Sequence, residues 1–374
     1  MTAETLPDRS LVSTGRDYMR IATEEAFAPP ELIATWRTMI ETGSYDDPGF
    51  ISLVGFYTAG KTERSKFVFD RLQDLGEGRI ADMDAAGVDR QVISLTAPGT
   101  QVLSPGDAVA MARLANDRLA EACLRYPDRF SGLTAIAPQD PAAAATEIER
   151  GHDKLGFNGV IINAHTDGEY LDNPRFWPIF EAAEALGTPI YLHPSTPPRN
   201  MIGLLLDAGL DGAIYGFAVD TAMHVLRIII AGVFDRYPAL KLVVGHLGEA
   251  LPFWLYRTDY MHAATVRARR YEAMKPIKRK PSEYLRDNIW VTTSGMAWAP
   301  AIMFCREVLG PGRVLYAMDY PYQYAPAEVA AHENLPITLA EKADLFQHNA
   351  ERVFALAGRH PVAPVAASPP PRAL

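Results

Sequence analysis

The sequence has little cysteine, no long apolar run and no excess of positive charge, and each absence excludes a class of protein. Cys123 and Cys305 are its two cysteines, and both lie in segments of helical pattern, where we expect buried thiols and no disulfide. No window reaches about 18 uninterrupted apolar residues, so we expect no transmembrane helix. The net charge of −9 argues against a nucleic-acid partner, because binding to phosphates needs a basic face. We therefore expect a soluble cytoplasmic protein.

What the sequence does contain is eight short apolar segments rich in β-branched residues. They end at Thr23, Leu95, Ile136, Asn163, His193, His246, Thr293 and Met318. Helical patterns separate these segments, and several end at a glycine just before the next strand. Repeated alternation of strand and helix predicts an α/β fold of the (β/α)8 TIM-barrel type. No G-x-G-x-x-G follows the first strand, which disfavours a doubly wound open sheet.

The same pattern predicts how the chain is divided. Residues 1–17 are read as an N-terminal extension, 18–358 as a single barrel domain, and 359–374 as a Pro/Ala-rich tail for which we expect disorder. Two insertions interrupt the alternation, near residues 28–80 and 194–238. In a barrel, long loops of this kind build the mouth of the active site, so we expect both to cover or line the pocket.

Side chains that bind metals or move protons stand at the ends of five of the predicted strands. They are Glu24 and Glu25 on strand one, His165 after strand four, His193 and His246 on strands five and six, and Asp319 after strand eight. Any one of them alone is usually structural. Together on one rim they would be desolvated without partners, and a divalent cation supplies the partner. This oxygen-rich set favours Mn²⁺ or Mg²⁺, with Zn²⁺ as an alternative, and strand alternation lets only one of the two glutamates face the barrel axis.

Four segments, "TEEAF", "YLHP", "VGHLGEALPFWLYRTDYM" and "AMDYPY", resemble the amidohydrolase superfamily. The similarity extends from about Tyr18 to Leu356 and is greatest to the branch of metal-dependent, non-oxidative decarboxylases of aromatic acids. Most of the superfamily has His-x-His on strand one, where this chain has Glu24-Glu25-Ala26, which weakens a binuclear hydrolase interpretation. The resemblance implies a distorted amidohydrolase-type barrel and a carboxy-lyase that acts on an ortho-hydroxy aromatic acid. The expected substrate is 5-carboxyvanillate, with 2,6- or 2,3-dihydroxybenzoate as alternatives.

The resemblance also implies roles for individual residues. One divalent ion, in the first place Mn²⁺, would be bound by Glu24, His193 and Asp319, with Glu25 not among the ligands. Substrate contacts are expected from Arg64, His246, Arg257 and Tyr322. Asp319 is the candidate proton donor to the ring carbon. Glu249 would either share protons with His246 or only orient its imidazole. His165 is expected in the pocket wall, as a substrate-binding residue.

Two other functions stay open at this point. The same barrel could hydrolyse a lactone or an amide with a metal-activated water, or it could hydrate a ring-opened aromatic acid. Analysis of the products separates these reactions from decarboxylation. Independently, long apolar loops such as "MIGLLLDAGLDGAIYGF" predict a homodimer or homotetramer with those loops at the interface.

Overall fold

Eight parallel strands form the centre of the computed structural model, which describes residues 16–356. The strands are β1 Ile21–Phe27, β2 Arg90–Leu95, β3 Phe130–Ala135, β4 Gly159–Asn163, β5 Ile190–His193, β6 Leu242–Val244, β7 Ile289–Thr292 and β8 Val314–Leu315. Each strand pairs with the next along the chain. The ring closes where the Ala26 amide donates to the Tyr320 carbonyl, at 2.7 Å, beyond β8. The predicted (β/α)8 barrel is confirmed.

Helices follow the strands and cover the outside of the barrel. They are Pro30–Thr42, Pro48–Thr58, Glu63–Leu72, Glu77–Ala86, Pro105–Arg125, Pro141–Asp153, Trp177–Ala185, Arg199–Asp207, Gly216–Ile230, Val233–Arg236, Leu251–Arg267, Pro281–Asp287, Ala299–Leu309, Pro326–Glu333, Leu339–Ala343 and Asn349–Phe354. Several begin with proline, whose fixed φ and missing N–H suit the first helical position. Among the residues described, none of these helices combines the length and apolar character needed to cross a membrane.

The insertions supply much of the structure above the barrel. Residues 28–80 hold three helices before the one that leads into β2, and residues 194–238 hold the helices Arg199–Asp207, Gly216–Ile230 and Val233–Arg236. Cys123 and Cys305 are buried and free, as predicted. The predicted tail at 359–374 lies outside the described residues, as does most of the predicted extension at 1–17.

An irregularity in β1 determines where its two glutamates point. The strand continues past Thr23, its predicted end, to Phe27, and its register against β2 shifts between Ala22 and Glu25. Such a bulge places an extra residue on one strand and re-aims the side chains next to it. Glu24 and Glu25 therefore lie within the strand, and both are almost completely buried.

Candidate active site

Three predicted metal ligands converge at one end of the barrel. Glu24 comes from β1, His193 from the end of β5, and Asp319 from the segment after β8. One possible ligand atom from each residue lies within 4.8 Å of those of the other two. Side chains that are distant in sequence meet here because the carboxyl ends of all the strands lie on the same rim.

The carboxylate of Glu24 is held so that one oxygen stays available. Its Oε2 accepts hydrogen bonds from the Tyr191 hydroxyl and from Thr292 Oγ1, the latter at 2.8 Å. Its Oε1 is buried, has no hydrogen-bond partner among the described residues and lies 3.4 Å from His193 Nε2. A buried carboxylate oxygen without a partner is costly. A divalent cation would remove that cost, so the oxygen fits the metal site that the sequence predicts.

His193 presents the nitrogen that a metal would need. Its Nδ1 lies 2.7 Å from the Pro194 carbonyl oxygen, and since a carbonyl only accepts, this nitrogen carries the proton. The lone pair of the neutral imidazole is therefore on Nε2, which faces Glu24. Burial lowers the pKa of His193, which keeps the ring in this neutral form.

Asp319 lies in an unusual backbone conformation with a perturbed carboxyl group. Its φ of 68° is in the left-handed region, which is uncommon for a residue with a Cβ. Burial, followed by the charge of Glu24, raises the pKa of Asp319 to about 8. A divalent cation held between the same carboxylates would act in the opposite direction.

A left-handed turn after β6 brings His246 and Glu249 together. Residues 246–250 all have positive φ, although only Gly248 among them is glycine. Such strain is typical of functional sites. His246 Nδ1 lies 2.8 Å from Glu249 Oε1, and its Nε2 lies 3.7 Å from Glu24 Oε1. Burial acts to lower the pKa of His246, but the carboxylates of Glu249 and Glu24 outweigh it and raise the pKa to about 10.

A cavity of about 370 Å³ opens onto these groups. Its volume suits one substituted aromatic ring. Both insertions line it, the first with Phe56, Tyr57 and Arg64 and the second with Asp211 and Phe217. Most of the lining is apolar or aromatic and, apart from its histidines, its charged side chains are Arg64, Asp211 and the predicted metal ligand Asp319.

The cavity brings Arg64 and Tyr322 together with His193 and Asp319, two of the predicted metal ligands. Arg64 stands in the first turn of the helix Glu63–Leu72, whose start is capped by Thr62, and its Nη2 donates to the Tyr322 carbonyl at 2.8 Å. The Tyr322 hydroxyl is hydrogen bonded to Thr96 Oγ1 at 2.6 Å. Both predicted contact residues therefore face the space where a substrate would bind.

Two predicted substrate contacts lie elsewhere in the chain. Arg257 is exposed on the helix Leu251–Arg267, in a separate groove with Trp254. Glu249, which is hydrogen bonded to His246, also lines this groove. His165 lies behind the cavity wall, where Nε2 donates to the Thr196 carbonyl at 3.2 Å and Nδ1 accepts from the Gly168 amide at 3.1 Å. Within one chain neither side chain lines the cavity, so their contact with substrate stays a prediction.

Tyr191, Thr292 and Gly245 surround the Glu24 carboxylate but were not predicted from the sequence. Tyr191 lies two residues before His193 and therefore on the same face of β5, which was a usable signal. Gly245 is needed for space, because a Cβ at this position would lie 2.7 Å from Glu24 Oε2. Thr292 gave no signal, because a threonine in a strand is ordinary.

Comparisons with known proteins agree with this geometry. The amidohydrolase family model matches residues 52–356. The crystal structure of 5-carboxyvanillate decarboxylase from Novosphingobium aromaticivorans, complexed with manganese and 4-hydroxy-3-methoxy-5-nitrobenzoic acid, is 53% identical, with a TM-score of 0.89 over 91% of this chain and 96% of that chain. The corresponding enzyme of Sphingomonas paucimobilis is 41% identical, with a TM-score of 0.85 over 90% and 99%.

A curated relative that is also a decarboxylase of an aromatic acid is similar in sequence over nearly its whole length. The γ-resorcylate decarboxylase of Rhizobium radiobacter is 34% identical over 348 residues, which cover 91% of this chain and 99% of the relative. The predicted resemblance is confirmed. The chain belongs to the amidohydrolase family, and within it to the branch of aromatic acid decarboxylases.

Proposed function

We propose that this protein is a metal-dependent, non-oxidative decarboxylase of an ortho-hydroxy aromatic acid, and that 5-carboxyvanillate is converted to vanillate and CO₂. The observation that carries the proposal is the unpartnered Oε1 of Glu24 beside His193 and Asp319, two residues that line a cavity together with Arg64. The similarity of the whole chain to two 5-carboxyvanillate decarboxylases supports the choice of substrate. The lower identity to γ-resorcylate decarboxylases makes 2,6-dihydroxybenzoate the second candidate.

The metal site would be formed by Glu24, His193 and Asp319. When bound there, a divalent cation supplies charge stabilisation to the phenolate and carboxylate oxygens of the substrate, without any redox change. Manganese is the first choice, since 5-carboxyvanillate decarboxylase of N. aromaticivorans was crystallised with this ion. Arg64, at the mouth of the same cavity, has the planar fork of donors that suits a carboxylate or phenolate.

The chain's acids then carry out the proton transfer. Asp319 protonates the ring carbon that bears the carboxylate, which interrupts the aromatic system at this carbon. The bond to the carboxylate carbon then breaks, its electron pair returns to the ring, and CO₂ leaves. His246, hydrogen bonded to Glu249, stands beside the metal ligands with its Nε2 toward Glu24 and can return a proton to Asp319.

The direct test is CO₂ release by protein that has been stripped of metal and reloaded with Mn²⁺. We expect release from 5-carboxyvanillate only after Mn²⁺ is added, and a lower rate from 2,6-dihydroxybenzoate. The vanillate formed is quantified by chromatography in the same samples. If no aromatic acid in the panel loses CO₂ while a lactone or amide is cleaved, the protein is a hydrolase.

We also propose that the chain forms a homodimer or homotetramer and that Arg257 contacts the substrate of a second copy. Large apolar side chains are exposed on the helix with Arg257 and around the second insertion, with Tyr256 84% and Ile214 71% exposed. Ile214 also lines the cavity. A second copy that covers this apolar surface would therefore approach the mouth of the cavity, and light scattering should give at least twice the mass of one chain.

A mixing experiment tests the role of Arg257. Arg257→Ala and Asp319→Asn are each expected to have little activity alone. When the two variants are co-expressed and pair at random, about half of the dimers contain one chain of each kind. One of the two sites in such a dimer combines an intact Asp319 with an intact Arg257 from the other chain. About a quarter of all sites would therefore be complete, and activity should recover to about that fraction of the wild-type level. Activity that stays at the level of the single variants would show that Arg257 does not act between chains.

A further inference from the structure

Glu25 is completely buried, and its carboxylate is bonded to the segment that carries Asp319. Its Oε1 accepts a hydrogen bond from the Met318 amide at 3.0 Å, and its Oε2 accepts one from the Tyr320 amide at 3.1 Å. These two amides are those immediately before and after Asp319. A single carboxylate therefore holds the backbone on both sides of a predicted metal ligand.

The segment around Asp319 needs such an external support. Strand β8 ends at Leu315, and beyond it the backbone around Asp319 has only isolated backbone hydrogen bonds among the described residues: the Ala26 amide donates to the Tyr320 carbonyl, and the Gln323 amide donates to the Asp319 carbonyl, both at 2.7 Å. Asp319 has a φ of 68°, in a region that residues with a Cβ adopt only when the surrounding structure holds them there. Those bonds use the carbonyls of residues 319 and 320, whereas the amides of Met318 and Tyr320 are held by Glu25.

Glu25 is itself fixed by a second set of buried polar groups. Gln91 Nε2 lies 3.4 Å from Glu25 Oε2, and Arg79 Nη1 donates to Gln91 Oε1 at 3.1 Å. Arg79 is completely buried, donates to the Ala26 carbonyl at 2.6 Å and lies over the Tyr320 ring at 4.7 Å. The oxygens of Glu25 therefore face three N–H donors, from the Met318 and Tyr320 amides and from Gln91, and Arg79 holds Gln91 in place.

We propose that Glu25 is a positioning residue that prepares the metal site by fixing Asp319. The two adjacent glutamates of β1 then have complementary tasks. Glu24 offers an oxygen to the metal, and Glu25, on the opposite side of the strand, aims the carboxylate that lies across the site. Groups that orient metal ligands in this way contribute strongly to metal affinity. The inference rests on the proposed function in one respect, since it takes Asp319 to be a metal ligand.

The test is the dissociation constant of Mn²⁺ for the Glu25→Gln variant of the full chain, measured by electron paramagnetic resonance of the free ion. Glutamine has one oxygen, so it can accept from only one of the two amides, and its own NH₂ group then faces the other amide. We expect the affinity for Mn²⁺ to fall by about 10- to 100-fold. An unchanged dissociation constant would overturn the proposal.

Thr23→Val is the matched control, because it removes another buried contact between β1 and the segment after β8. Thr23 Oγ1 donates to the Tyr316 carbonyl at 2.8 Å, three residues before Asp319. If Glu25 only joined these parts of the barrel, both variants would lose thermal stability and neither would lose affinity for Mn²⁺. The positioning role instead requires that Glu25→Gln alone weakens Mn²⁺ binding.

Hydrogen exchange on the wild-type protein tests the same idea even if Glu25→Gln does not fold. We expect the amides of Met318 and Tyr320 to be protected before any Mn²⁺ is added, because Glu25 already holds them. Fast exchange that slows only with Mn²⁺ would show that the metal orders the segment, and would reject the proposal. Failure of the proposed reaction is distinguishable, since it would appear as absent CO₂ release with Mn²⁺ affinity intact.

Discussion

Asp319→Asn is expected to lower kcat for decarboxylation by a factor of about 10²–10⁴, the usual contribution of a positioned general acid. Asparagine has nearly the same shape as aspartate and keeps one carbonyl oxygen that can face a metal. It cannot carry a proton to the ring carbon. The loss should therefore appear mainly in kcat, with a smaller decrease in the affinity for Mn²⁺ because one negative charge is removed.

The environment of Asp319 supports this expectation. Burial and the charge of Glu24 raise the pKa of Asp319 to about 8, and His246 lies close enough to influence it. The pKa of His246 is also raised, to about 10, so near neutral pH the imidazole can hold a proton for transfer. Perturbed pKa values of this kind mark candidate acid–base residues. Because a cation bound beside Asp319 would lower the pKa of that carboxyl group, the mechanism also needs His246 as the source of its proton.

Steady-state kinetics at saturating Mn²⁺, with a direct measurement of bound metal, separates the two effects. Asp211→Asn is the matched control, since Asp211 is a second buried carboxylate that lines the same cavity and is bonded to Ser52 Oγ at 2.7 Å. It should change kcat by less than about tenfold, because it has no predicted part in proton transfer. If Asp319→Asn keeps most of its kcat with metal bound, another residue protonates the ring.

Much of the fold could be predicted from the sequence because buried parallel strands leave a strong local pattern. The eight apolar segments correspond to β1–β8, and most of their ends agree within a few residues. The largest difference is in β1, which continues to Phe27 through Glu24 and Glu25. Two adjacent carboxylates normally signal the end of a buried strand, and only the contacts from other strands explain why this strand continues.

Part of the candidate site could likewise be predicted from the local sequence, and the rest depends on contacts between distant parts of the chain. Glu24, His193 and Asp319 could be named because each stands near a strand end, where barrel sites form. Alternation predicted that Glu24 and Glu25 face opposite sides, but which one faces the axis depends on the bulge. The separation of Arg257 from the cavity could not be foreseen, since a resemblance assigns a contact to a residue without giving the position of that residue in the fold.

Glu24→Gln is expected to remove tight metal binding, with a loss of affinity for Mn²⁺ of about 100-fold or more, and with it the activity at ordinary metal concentrations. The reason lies in the hydrogen bonds of the side chain. Tyr191 and Thr292 both donate to Oε2, so the single oxygen of glutamine would turn toward them. Its NH₂ group would then occupy the position of Oε1, and an amide NH₂ is a donor that cannot bind a cation.

Tyr191→Phe is the control that distinguishes loss of the ligand oxygen of Glu24 from loss of a hydrogen bond that orients the Glu24 carboxylate. This variant keeps the carboxylate of Glu24 and the hydrogen bond from Thr292 Oγ1, and loses only one of the two donors. We expect it to weaken Mn²⁺ binding by about tenfold, which is the lower range for residues that orient a ligand. Calorimetric titration of both variants with Mn²⁺ gives the comparison. Equal losses in the two variants would mean that Tyr191 matters as much as the ligand oxygen, and Mn²⁺ binding unchanged in Glu24→Gln would remove Glu24 from the metal site.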